Sequence, residues 1–191
     1  VIAILALQRM QYRLLVATCA AAVVAVTIIC AISAWAPAGR FSLMDGAWLD
    51  TVRLRSNYLF MTLWPMRTFE RIVLVSSTLL IAISALHDRP GNDLLRAALV
   101  TLTGGQLVTL VSTVVPVALL LQLQPWRALW VATLLAIITL PFIFASCWRM
   151  PHGRSAALML AAGWCLYDMS PHAAWLSVVA VGVQFTGKQM P

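Results

Sequence analysis

Charged side chains are scarce in this chain, and their scarcity excludes an ordinary water-soluble protein. Of the 191 residues only 10% are charged, whereas 62% are hydrophobic and the mean hydropathy is +0.90. Soluble domains usually carry about 25% charged residues, so this composition would expose too much apolar surface to water. We therefore expect lipid to be the solvent of most of the chain.

The basic residues lack the clustering that nucleic-acid binding requires. Thirteen basic residues against six acidic ones give a formal charge of +7, and twelve of the thirteen are arginines scattered singly over the polar segments. A nucleic-acid surface concentrates its basic residues in one stripe, often with aromatic residues between them. We therefore expect no nucleic-acid partner, and we expect anionic lipid head groups to be partners of the arginines.

Clusters of metal-binding or catalytic residues are also missing. Four cysteines lie inside apolar runs without CxxC spacing, and three histidines lie in three separate polar segments. Neither arrangement is typical of a metal site, and no GxSxG, HExxH or P-loop motif occurs. The sequence predicts no metal and no cofactor, and it favours a non-catalytic protein over an enzyme assembled from scattered residues.

Long apolar runs are what the chain does contain. The 25 residues 97–121 include no charged side chain, and about 20 apolar residues suffice to span a bilayer as a helix. We predict an all-α, polytopic transmembrane bundle of about five to six helices, forming a single integral membrane domain over 1–191. A further helix before Val1 remains an open alternative. The predicted spans are 14–36, 72–86, 97–121, 126–147, 156–167 and 172–186.

The segment near 41–64 is more polar and has an amphipathic pattern. On a helix, five of its apolar residues would fall within about 100° of arc. This predicts an interfacial helix that lies in the membrane surface, with a partly helical loop packed on the bundle as the alternative. The five residues are Met44, Trp48, Val52, Leu59 and Leu63.

A stripe of small and hydroxyl-bearing residues follows the third predicted helix. Its members are Thr101, Gly105, Thr109, Ser112 and Pro116, which stay within about 80° of one another on a helix. Such stripes favour close helix packing in membranes. The alternative is a solute pathway, because Gly104 and Gly105 weaken the helix at this point.

The last apolar segment should be broken at 168–171. Ser170 followed by Pro171 is typical of a helix start, so two short helices are expected, either as a re-entrant hairpin or as two crossings. Asp168 and His172 are four residues apart and would be within reach of each other if the turn stays helical. They are candidates for a proton or cation relay; the alternative is that both meet water at the membrane surface.

These features favour one function over a second. The first is a non-catalytic integral subunit of a larger assembly in the bacterial inner membrane, which docks other membrane subunits through small-residue faces of its first and third helices. The alternative is a small permease or the membrane-spanning half of a transporter, with a pathway along the third helix and the broken C-terminal segment.

Overall fold

The described part of the chain is helical, as predicted. The computed structural model describes residues 43–87, 91–150 and 153–186, together with Val24, Thr27, Ile28, Ala31 and Ile32. Within these residues there is no β-strand, only an isolated bridge between Leu43 and Val117. The α-helices are α1 (Gly46–Arg55), α2 (Met66–Ala85), α3 (Asn92–Val114), α4 (Ala118–Gln122), α5 (Ala128–Cys147), α6 (Gly153–Leu166) and α7 (Trp175–Thr186).

Among the described residues, three stretches are long and apolar enough to cross a membrane. They are Met66–Ala85, Asn92–Val114 and Ala118–Cys147. The helices α6 and α7 have 14 and 12 residues, which corresponds to about 21 and 18 Å of length. The predicted first span, 14–36, lies outside the described residues except for five helical positions.

Two of the predicted helix bounds differ most from the observed ones. Helix α2 begins at Met66, six residues before the predicted start. Helix α3 covers Asn92–Val114 and ends well before the predicted end at 121. Pro116 accounts for this end, because proline lacks an N–H group and disfavours helical conformation in the residue before it.

The predicted amphipathic helix near 41–64 is wrong in its length. Helix α1 begins after Asp45, whose carboxylate accepts a 2.7 Å hydrogen bond from the backbone N–H of Trp48. It ends at Arg55, and two 3₁₀-helices follow. Leu59 and Leu63 therefore do not continue one helical face with Trp48, and an interfacial position for this segment stays a prediction.

The chain divides into two compact units, the first comprising 1–62 and 108–125. In the described part of this unit, backbone polar groups join its two segments. The N–H of Met44 donates to the carbonyl of Pro116 over 3.0 Å. The N–H of Met61 donates to the hydroxyl of Thr113 over 3.1 Å. These bonds satisfy groups that have no helical partner.

The second unit comprises 63–107 and 126–191, and α2 is its central helix. Helix α2 packs against α5 and α7, while α6 packs against α5 and α7. Ser146 of α5 donates to the carbonyl of Ala85 over 2.8 Å. The fully buried side chains of the unit include Leu74, Leu79, Ile81, Ile143 and Leu160.

Glycines allow close approach at both ends of α6. A Cβ atom on Gly153 would overlap the backbone carbonyl of Cys147. A Cβ atom on Gly163 would lie 3.3 Å from the carbonyl oxygen of Ala173 and 3.5 Å from Leu74 Cδ1. Small residues thus set the spacing of α6 from its neighbours, as is common between membrane helices.

Candidate functional site

The first turns of α2 place a carboxylate inside the second unit. Helix α2 starts after Pro65, whose φ of −65° and missing N–H suit a helix start. Glu70, Leu74, Ser77 and Ile81 recur at helical spacing, and all four are buried. Glu70 is therefore on the packed face of α2, whereas Arg67 and Arg71 are exposed.

The break between α6 and α7 brings two further ionisable residues to the start of α2. Helix α6 ends at Leu166, and a 3₁₀-helix starts at Pro171 after Ser170 in the N-cap position. His172 Nδ1 lies 2.5 Å from Glu70 Oε1. Asp168 Oδ1 lies 2.8 Å from an Nη atom of Arg67. Both predicted relay residues thus pair with α2.

The structure does not keep Asp168 and His172 on one helical turn. Asp168 lies in a turn, whereas His172 lies in the following 3₁₀-helix. The extended backbone of Ser170, with φ −146° and ψ 109°, separates them. The i, i+4 geometry that would have paired them is therefore lost, and their role as a relay stays a prediction.

The two ion pairs differ sharply in their surroundings. The side chain of Glu70 is only 2% exposed, although its partner His172 is 78% exposed. Arg67 and Asp168 are 53% and 89% exposed. A buried carboxylate without a partner is costly, whereas an exposed pair contributes little to stability. The Glu70–His172 pair is therefore the energetically important one.

Tyr167 holds the turn against the start of α2. Its hydroxyl donates a 2.7 Å hydrogen bond to the carbonyl of Arg67. The Arg67 guanidinium carbon lies 5.3 Å from the centre of the Tyr167 ring, within the range of a cation–π contact. Burial raises the pKa of the Tyr167 phenol, although nearby Arg67 and Arg71 oppose this. The phenol therefore remains a donor at neutral pH.

A cleft of about 360 Å³ opens beside these residues. One wall of the cleft is Trp164 of α6. Its indole N–H donates a 2.9 Å hydrogen bond to the hydroxyl of Thr78, which fixes the ring in place. Thr78 in turn donates to the carbonyl of Leu74 over 2.7 Å. The cleft combines cationic, aromatic and apolar walls. They are formed by Pro65, Arg67, Thr68, Arg71, Leu74, Trp164, Tyr167 and Asp168.

The predicted stripe is divided between exposed and buried positions, and its last member, Pro116, lies outside α3. Thr101 is exposed, Gly105 and Pro116 are half-buried, and Thr109 and Ser112 are buried. Ser112 donates to the carbonyl of Thr109 over 2.8 Å. The buried hydroxyl of Ser112 is thus satisfied inside its own helix, which costs less than leaving it unpaired.

Glu70 is the site residue that sequence reasoning missed. The predicted second span started at 72, which left Glu70 in the connection before it. Pro65 was the available signal, since proline favours the first turn of a helix. Continuing the helical pattern back from Leu74 by four residues would have placed Glu70 on the buried face.

Within the described residues, no group of three or more histidine, cysteine or acidic residues is arranged to hold a metal ion. The described site consists of the Arg67–Asp168 ion pair and the Glu70–His172 contact beside an open cleft. Comparisons of the chain with protein-family models, with curated proteins and with solved structures found no match.

Proposed function

We propose that this chain is a non-catalytic integral subunit of a larger membrane assembly, with α3 as a docking helix for partner subunits. The observation that carries the proposal is an exposed face of small residues on α3. We also propose that this membrane is the bacterial inner membrane and that the first predicted helix provides a further docking face. Membrane insertion itself is supported by the three long apolar stretches.

Helix α3 is poorly covered by the part of the chain that the structure describes. Only 28% of its most apolar 18-residue stretch is buried, compared with 67% in α2. Ala97, Thr101 and Gly104 are exposed, and they lie within about 60° of one another on the helix. Small residues on a lipid-facing helix allow another helix to approach closely.

Gly104 gives this face its specific support. A Cβ atom added to Gly104 meets no atom of the described residues within 4 Å, so packing against that part of the chain does not require glycine there. Glycine in a helix interior costs about 0.8–1.0 kcal/mol relative to alanine. A partner helix that packs against the backbone at Gly104 would account for this cost.

The test is to replace Gly104 with leucine in the full chain and to measure partner recovery by co-purification in mild detergent. We expect the wild-type chain to recover a defined set of membrane proteins and Gly104→Leu to lose them. The variant should keep its helicity and thermal stability, because the added side chain has open space.

Gly182→Leu is the matched control. Gly182 of α7 is also exposed and also has open space above it, but it lies outside the proposed docking face. This variant should recover the same partners as the wild type. Equal losses in both variants, or a wild-type chain that recovers no defined partner, would contradict the proposal.

A second candidate function, a small permease, is favoured by Glu70. A buried carboxylate in a membrane helix often belongs to a proton or cation path, and here it contacts a histidine that reaches solvent. The pathway would use the broken C-terminal segment with Asp168 and His172, together with α3.

Proton flux into liposomes containing the full chain tests this candidate. A pH-sensitive dye inside the liposomes should report flux above that of empty liposomes, and Glu70→Gln should reduce it to the empty level. Flux that is absent in the wild type, or unchanged in Glu70→Gln, would rule out this pathway.

A further inference from the structure

The cleft beside the start of α2 has the chemistry of a phospholipid site. We propose that it binds the phosphate of an anionic phospholipid head group, with Arg71 and Arg67 as the cationic ligands. The cleft is lined by residues other than those of the exposed face of α3, so lipid binding there does not depend on the docking function.

Arg71 is the principal ligand because its charge is not neutralised. It is exposed and lines the cleft, and it forms no ion pair with any residue that the structure describes. A guanidinium offers paired donors that match two phosphate oxygens. An anion in the cleft would therefore gain a charged partner without displacing another one.

Arg67 is the second cationic ligand, and its guanidinium can be shared between Asp168 and a bound phosphate. Its partner Asp168 is 89% exposed, so water can solvate this carboxylate when the guanidinium turns toward a bound phosphate. Tyr167 keeps the start of the Arg67 side chain in place through the backbone carbonyl and the ring. Asp168 thus competes with a phosphate, and its charge should weaken binding.

The walls of the cleft favour a lipid over a soluble phosphate. Leu74 lies one turn below Arg71 in a helix long and apolar enough to cross a membrane. Trp164 and Tyr167 line the same cleft, and such aromatic residues are enriched at the level of lipid head groups. The arginines would meet the phosphate while the apolar wall meets the glycerol and upper acyl groups.

The volume and the helix end are consistent with this ligand. A cavity of about 360 Å³ falls at the lower end of the range of small-molecule sites, roughly 300–1,000 Å³. The positive end of the 20-residue helix α2 adds a favourable field for an anion.

Native mass spectrometry of the full chain in a neutral detergent tests the proposal. The probes are dioleoyl phosphatidylglycerol and dioleoyl phosphatidylcholine, which share acyl chains and differ in net charge. We expect phosphatidylglycerol to bind more tightly. Arg71→Gln should weaken phosphatidylglycerol binding about tenfold, in keeping with one lost charged contact, and should leave phosphatidylcholine binding unchanged.

Two further variants test whether a general loss of positive charge or misfolding could explain this result. Arg154→Gln removes an exposed arginine ten residues before Trp164 in α6, about 15 Å along the helix, and should change phosphatidylglycerol binding by less than about twofold, because exposed charges act weakly at such a distance. Asp168→Asn should strengthen binding about two- to threefold by freeing Arg67, a gain that a misfolded variant would not produce.

Several outcomes would overturn the proposal. Equal effects of Arg71→Gln and Arg154→Gln would mean that only net charge attracts the lipid. Phosphatidylcholine binding as tight as that of phosphatidylglycerol would remove the charge selectivity. Inorganic phosphate, compared with chloride at equal ionic strength, should not displace the lipid. Specific displacement by phosphate would assign the site to a soluble anion instead.

Discussion

The His172→Ala variant should destabilise the chain more than Asp168→Asn, although the two residues lie four positions apart. Truncating His172 removes the partner of a carboxylate whose side chain is 2% exposed. A hydrogen bond to a charged group is worth roughly 1.5–3 kcal/mol. Because His172 itself is 78% exposed, water can partly replace it, and we expect a loss of about 1–2 kcal/mol.

Asp168→Asn breaks a pair in which both partners are more than half exposed. Such pairs contribute about 0.2–1 kcal/mol at most, so its effect should stay below that of His172→Ala. For a chain of this length 1 kcal/mol shifts the midpoint of unfolding by about 2–4 °C. We therefore expect shifts of about 2–8 °C for His172→Ala and about 0.4–4 °C for Asp168→Asn, with the smaller shift in Asp168→Asn.

Thermal unfolding of the full chain in a mild detergent, followed by circular dichroism, measures both shifts. The same His172→Ala change in a Glu70→Gln background is the decisive control, because the neutral amide leaves no charge to strand. There it should cost less than half as much, and the difference is the coupling between the two residues. A shift no larger than that of Asp168→Asn, or equal losses in both backgrounds, would refute the reasoning.

Three further predictions concern Tyr167 and two glycines. Tyr167→Phe should cost about 0.5–1.5 kcal/mol at neutral pH through the lost bond to the Arg67 carbonyl. Because the pKa of the phenol is raised in the folded state, its stabilising contribution is fully present below about pH 10 and is lost as the pH rises further. If unfolding measurements at high pH still show the wild type to be more stable than Tyr167→Phe, this reasoning is contradicted. Gly153→Ala should destabilise by about 1–3 kcal/mol, since its Cβ would overlap the Cys147 carbonyl, and an unchanged unfolding midpoint would contradict the close approach. Gly104→Ala should stabilise the isolated chain by about 0.5–1 kcal/mol in the same assay, and a loss would mean that the backbone there is already in contact.

Helices whose ends have strong local signals were predicted most closely. The apolar run after Pro125 predicted a helix over 126–147, and α5 covers Ala128–Cys147. Ser170 and Pro171 predicted the break before the last helix, which the structure has. Local chemistry decides these ends because proline fixes its own φ and lacks an N–H group.

Bounds beside charged residues were predicted less well. The predicted second span started at 72, yet α2 begins at Met66, and its first turns contain Arg67, Glu70 and Arg71. The amphipathic pattern of 41–64 did not reveal that the helix stops at Arg55. The hydrophobic period indicates which residues would share a helical face, but it does not indicate at which residue the helix ends.

The sequence by itself determined that this chain is helical and carries runs long and apolar enough for lipid, because composition and the 3.6-residue period act without long-range contacts. Only the tertiary structure decided which ionisable groups meet. Glu70 and His172 are separated by about a hundred residues, and their contact depends on how α2 packs against the break between α6 and α7. Pairing across such a distance follows from packing, which no local pattern in the sequence encodes.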